Sequence, residues 1–174
     1  MQYTLSPVVQ CAYVDIMEFL AKTTVLVALL FSMLASTGSA HAERAAAEQR
    51  IRDAFARGVG GPESFYALLA EDVHWTVARA QNPSVYTSRQ EFLDRGARPV
   101  LDRLTGPIQA SVHDLVTDGD RVVALWRGTA TALDGKPYVN EYAWSMTMRG
   151  GEIARVVAYL DLVALDDLIR RVPV

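Results

Sequence analysis

Cysteine is nearly absent from this chain: the 174 residues hold one, Cys11. A lone thiol closes no intrachain disulfide, and everything after residue 42 lacks a thiol nucleophile, so stability there must come from packing. Basic charge is not in excess either. Seventeen Lys and Arg stand against 20 Asp and Glu, a net charge of −3 with histidine neutral, which gives no ground for a nucleic-acid partner. Of the three histidines, His74 and His113 stand alone without local ligand spacing, so neither a metal site nor a cofactor is expected. Internal repeats are missing, and low complexity is confined to the N-terminal stretch.

A long apolar span is missing as well. Val25 to Ala35 is too short to cross a bilayer comfortably; Lys22 precedes it and Ser36-Thr37-Gly38-Ser39 follows. Ala40-His41-Ala42 then places small residues at the two positions a signal peptidase reads. Residues 1–42 therefore read as a leader with a signal peptide, cleaved after Ala42. Residues 1–16 carry no basic residue, which points to Met17 as the true start. The expected mature domain is 43–174, the size of one core, secreted or periplasmic, with no stable membrane span once the signal is removed.

Turn signals organise what remains. Asp118-Gly119-Asp120, Asp134-Gly135 and Gly150-Gly151 tolerate the positive φ that hairpins need. Between them run strands expected over Arg121–Leu133, Lys136–Met148 and Glu152–Leu160, followed by a short helix that Asp161 opens as N-cap. Upstream, Arg44–Arg57 is helical in pattern and ends at Gly58, and Pro62 suits the first turn of a second helix carrying Phe65, Leu68 and Leu69. Asp72–Ala78 alternates as a strand, and Gln81–Ser84 reads as loop. Ser88 with Glu91 forms a capping box for a third helix, which Gly96 and Pro99 must break or kink. A strand from Ile108 to Thr117 leads into the meander. The fold class is α+β, a strongly curved mixed sheet wrapped around N-terminal helices.

This order resembles the nuclear transport factor 2-like superfamily, cone-shaped folds, and within it the SnoaL-like and ketosteroid-isomerase-like branch. The residues carrying the likeness are Ala70–Trp75, Asp118–Val123, Gly135–Tyr138 and Val157–Asp161. The resemblance implies a pocket at the concave side but no single chemistry, because the fold hosts isomerases, cyclases, hydrolases and non-catalytic dimers. Known catalytic sets do not carry over. The ketosteroid isomerase base falls on Val77, and that family's oxyanion-hole pair falls near Asp53 and Trp144. The epoxide hydrolase pattern keeps Arg127 but meets Thr129 and Ala158 where it needs carboxylates. Catalytic residues stay unassigned, since general acid–base work needs a titratable group beside the substrate.

With Arg127 and Thr129 facing inward, strand alternation sends Trp126 and Ala124 to the convex face. The next strand then turns Asn140, Tyr142, Trp144 and Met146 inward, and Trp75 helps to close the cavity. The candidate ligand-binding set is Arg127, Trp144, Tyr142, Asn140, Trp75 and Thr129, each open also to a purely structural reading. Arg127 needs an anionic or carbonyl partner, either Asp161, a main-chain group or a ligand oxygen. The functional reading is a SnoaL-like protein binding a small apolar oxygen-bearing molecule, with isomerase, cyclase or lyase activity open. A non-catalytic binding or dimerisation module is the alternative. An apolar convex face argues for a homodimer.

Overall fold

The computed structural model describes Ala42, residues 44–61 and residues 63–174. The expected leader, its start at Met17 and its cleavage point lie outside the described residues, but for Ala42. No helix among the described residues is long and apolar enough to cross a membrane. Residues 44–174 form one unit.

Residues 44–56 are helical (α1), and Ile51, Ala54 and Phe55 are its buried stripe. The expected second helix shrinks to one 3₁₀ turn, Phe65–Leu68, capped by Ser64. Leu69 already opens strand β1, Leu69–Val77. A short strand β2, Ser84–Tyr86, takes in the last residue of the expected loop and was not anticipated; it pairs antiparallel with the end of β1. The capping box forms at Ser88, whose Oγ accepts from the Glu91 N–H at 3.1 Å. Glu91 reaches back one residue further than the usual box, accepting from the Thr87 N–H.

The α-helical pattern of the third helix is interrupted around Gly96, where it was expected to break or kink. Helix α2, Arg89–Phe92, runs through a π-helical turn, Leu93–Ala97, into α3, Arg98–Leu101. Pro99 has no N–H to donate back to the Arg95 carbonyl. The wider turn absorbs that missing bond, with the Arg98 N–H bonding to the Leu93 carbonyl.

Strands β3 (Gln109–Asp118), β4 (Arg121–Thr131), β5 (Pro137–Arg149) and β6 (Glu152–Leu160) complete a six-stranded sheet of order β2-β1-β6-β5-β4-β3. Only β1 and β6 run parallel, so the sheet is mixed, as expected. The last helix, α4 (Leu162–Arg171), starts where expected: Asp161 Oδ1 accepts from the N–H groups of Val163 and Ala164.

The facing of β4 also departs from expectation, and its cause is a single residue. A two-residue turn at Asp134-Gly135 would pair Leu133 with Lys136 and bring Arg127 opposite Tyr142. Instead the loop holds three residues, Leu133-Asp134-Gly135. Ala132 bonds to Lys136, and Gly135 takes the positive φ of +80° that such loops require. The ladder then pairs Arg127 with Glu141 and Trp126 with Tyr142. A one-residue change of register turns every β4 side chain over. Val122, Ala124 and Trp126 are therefore buried under the helices, and Arg127 and Thr129 are exposed on the outer face. Arg127 finds its partner there: its Nε lies 2.5 Å from Glu141 Oε1, with both side chains about half exposed. Asp161 is not that partner; it is occupied as a helix cap.

The core is an aromatic cluster between the inner sheet face and the helices. Phe55 of α1 lies 5.2 Å from Trp126 between ring centroids, and Phe65 lies 5.0 Å from Trp144. Trp126 stacks on Tyr142 at 3.9 Å, and Trp75 stacks on Phe92 at the same separation. Gly128 makes room for this: a Cβ there would come within 2.7 Å of Ile108 and 2.9 Å of Tyr142.

The two neighbouring residues of β4 should therefore differ sharply. Trp126→Ala is expected to cost about 3–5 kcal/mol of stability as a large-to-small core change. Arg127→Met should cost less than about 1 kcal/mol, as for an exposed ion pair. Urea midpoints at constant m-value measure both, and comparable losses would contradict the outward placement of Arg127.

Candidate functional site

Strand β5 supplies most of the site. Its thirteen residues alternate without interruption, so Tyr138, Asn140, Tyr142, Trp144 and Met146 all face inward and are buried. Trp126 joins them from β4 and Trp75 from β1. Tyr138, Tyr142, Trp144, Trp126 and Trp75, together with Tyr66, line a cavity of about 80 Å³ roofed by Val100, Leu101 and Leu165 from α3 and α4. A second, open cavity of about 580 Å³ adjoins it, and Tyr66, Ala97 and Leu101 belong to both walls.

The polar groups of the inner wall form a directed chain. Asn140 is locked to the start of α4: its Oδ1 accepts the Asp161 N–H at 2.9 Å, and its Nδ2 donates to the Asp161 carbonyl at 3.0 Å. The same Nδ2 donates to the Tyr138 hydroxyl at 3.0 Å, and that hydroxyl meets the Tyr142 hydroxyl at 3.0 Å. Two hydroxyls share one contact, so one of their two protons is left over whichever oxygen donates. Nε1 of Trp126 and Nε1 of Trp144 are also buried without a hydrogen-bond partner among the described residues. A buried donor left unpaired costs about 1–3 kcal/mol. The aromatic cluster behind the wall thus holds more donors than acceptors among the described residues.

Burial sets the protonation of the phenols. It pushes Tyr66 above the ordinary tyrosine range, with Tyr138 nearby adding to the effect. It raises Tyr142 well above that range and raises Tyr138 too, where the bonds from Tyr142 and Asn140 pull back part of the shift. All three are neutral O–H groups at physiological pH.

Four of the six residues singled out from the sequence meet at this site: Trp75, Asn140, Tyr142 and Trp144. Trp75, Tyr142 and Trp144 line the cavity, while Asn140 acts one step behind it through Tyr138. Arg127 and Thr129 are on the other side of the sheet. Trp126, Tyr138 and Tyr66 were missed. Tyr138 shares the alternation of Asn140 and Tyr142, so that pattern could have found it; Trp126 was lost with the register of β4. Val77 and Ala158, where the resemblance looked for carboxylates, are cross-strand partners and both line the cavity. Among the described residues, no cluster of three or more His, Cys, Asp or Glu is placed to hold a metal.

A mixed sheet of this order, curled over an aromatic pocket and closed by helices, defines the nuclear transport factor 2-like fold. The SnoaL-like domain family matches residues 33–156, and the chain belongs to that family. Solved structures agree on the fold. An NTF2-like protein from Anabaena variabilis is 22% identical over 67% of this chain and 88% of its own, with a TM-score of 0.55. TerC, co-crystallised with polyporic acid, is 24% identical over 61% of this chain and 83% of its own, at 0.51. A protein of ketosteroid isomerase-like fold from Catenulispora acidiphila, in complex with trimethylamine, is 22% identical over 63% and 83%, at 0.50. No curated protein matches the chain significantly.

The raised phenols carry a linkage consequence. In the unfolded chain these tyrosines ionise near pH 10. A folded pKa above the unfolded one contributes stability that is complete below that pH and is lost as pH rises through the folded value. In an alkaline titration of tyrosinate absorbance, Tyr66, Tyr138 and Tyr142 should stay silent until the protein unfolds. Smooth ionisation of every tyrosine near pH 10 in the folded protein would contradict their burial.

Proposed function

We propose that the inner cavity binds a small, largely apolar, neutral molecule through its oxygen, in an exported protein of secreted or periplasmic location. The observation that carries this is the tyrosyl pair: Tyr138 and Tyr142, both in the cavity wall, share one contact and leave one proton without an acceptor in otherwise apolar surroundings. A ligand carbonyl or ether oxygen satisfies what the protein leaves unsatisfied. An alcohol or amine, which brings further donors, fits less well. That TerC and the Catenulispora acidiphila protein were crystallised with organic compounds is consistent with a binding role for the fold.

Among the described residues, those lining the inner cavity include no carboxylate, imidazole or amine. Recognition and polarisation of an oxygen is therefore the chemistry these side chains support best. Butan-2-one and its isostere 2-methylbut-1-ene separate the cases. The ketone should raise the melting temperature, and the alkene should need roughly tenfold more to match it, because a site built to hydrogen-bond an oxygen rejects the analogue lacking it. Tyr142→Phe should weaken the ketone by about threefold to tenfold, the scale of one net hydrogen bond. Equal binding of ketone and alkene would sink the reading.

The outer face supports a homodimer. Val116, Leu125, Val139 and Tyr159 all point outward from β3, β4, β5 and β6 and are 55%, 40%, 43% and 56% exposed. Four large apolar side chains on one sheet face favour a self-complementary partner. Sedimentation equilibrium should show a dimer that becomes a monomer with Leu125→Asp and Tyr159→Asp together. A wild-type monomer at micromolar concentration would refute the dimer.

A further inference from the structure

The two adjoining cavities differ in size and in character. Small-molecule sites usually enclose about 300–1,000 Å³. The inner cavity holds about 80 Å³, room for the narrow end of a molecule, while the outer one holds about 580 Å³. Their common wall is thin: Tyr66, Ala97 and Leu101 line both. The π-helical turn brings this about locally. Its last residue, Ala97, puts a single methyl at the partition, whereas Phe92 before the turn faces only the inner cavity and Leu93 only the outer.

The outer wall is polar without being a charge trap. Arg89 donates to the Leu69 carbonyl at 3.1 Å and is ion-paired with Glu71. Arg98 is paired with Asp94 at 2.6 Å, and Gln90 donates to the other Asp94 oxygen at 2.8 Å. Asp102 adds a carboxylate. Both guanidinium charges are matched, so the groove offers hydrogen bonds and no surplus cation for a free anion.

On the reading of the inner cavity given above, we infer that the ligand is an elongated neutral molecule occupying both compartments. Its oxygen-bearing end sits against the Tyr138 and Tyr142 hydroxyls. Its body crosses between Tyr66, Ala97 and Leu101, and its far end, carrying hydroxyl or amide groups, lies in the groove between Arg89, Gln90 and Arg98.

Two probes that share one head test this: butan-2-one and 4-(4-hydroxyphenyl)butan-2-one, titrated calorimetrically into the full protein. The longer ketone should bind roughly tenfold or more tightly, because its phenol buries surface in the groove. Ala67 and Gln90 are exposed residues that line only the outer cavity. Ala67→Phe should remove most of the longer probe's advantage and leave butan-2-one unchanged. Ala67→Leu, a smaller change at the same exposed position, serves the same purpose should the first variant fold poorly. If the two ketones bind wild type equally, or the advantage survives both substitutions, the two-compartment site is wrong and the inner cavity stands alone. If butan-2-one itself fails to bind, the reading of the inner cavity falls, and the inference falls with it.

Discussion

The register of the β4–β5 hairpin is the constraint on which the site depends. Three loop residues rather than two, with Gly135 at positive φ, decide that Trp126 faces the helices and Arg127 faces outward. Every later feature follows from that parity. Trp126 stacks on Tyr142, Phe55 and Ile108 have a ring to pack against, and the cavity wall is lined by neutral groups in place of a guanidinium. The loop is also held from outside. Arg171 at the end of α4 pairs with Asp134 and donates to the Pro137 carbonyl, so the last helix is fastened to the turn that sets the face of the sheet.

Much of the fold was legible because its signals are local. Ser88 and Asp161 announce their helices through hydrogen bonds made within three residues, and Gly119, Gly135, Gly150 and Gly151 all adopt the positive φ their turns require. Alternation along thirteen residues placed the inner face of β5 correctly. What could not be read were the features decided by one residue or by tertiary contact. Asp134-Gly135 is compatible with two loop lengths, and those lengths put opposite faces of β4 in the core. The segment around Phe65 is apolar enough for a helix, yet its residues serve better as a single turn feeding β1 directly. Tyr66, which lines both cavities, sits in that segment and so escaped notice.

The likeness to epoxide hydrolases made Arg127 attractive as a pocket residue, and physical reasoning then asked for its partner. The partner exists, but on the opposite face, directly across the ladder in Glu141. The unsatisfied groups are elsewhere, on neutral side chains whose polarity is easy to overlook in an apolar strand. Tryptophan and tyrosine carry one polar atom each, and in β4 and β5 those atoms are where hydrogen-bonding capacity is left over among the described residues.

The chain has three tryptophans, and all three stand in this wall. Trp144 lies 5.0 Å from Trp75 and 4.7 Å from Trp126, each pair nearly perpendicular. At such separations the rings are not independent chromophores: excitation migrates among them, and their transitions couple. The protein's tryptophan emission therefore comes from one aromatic cluster, with no tryptophan background from elsewhere in the chain. Through that emission, the molecule reports on its cavity and on little else.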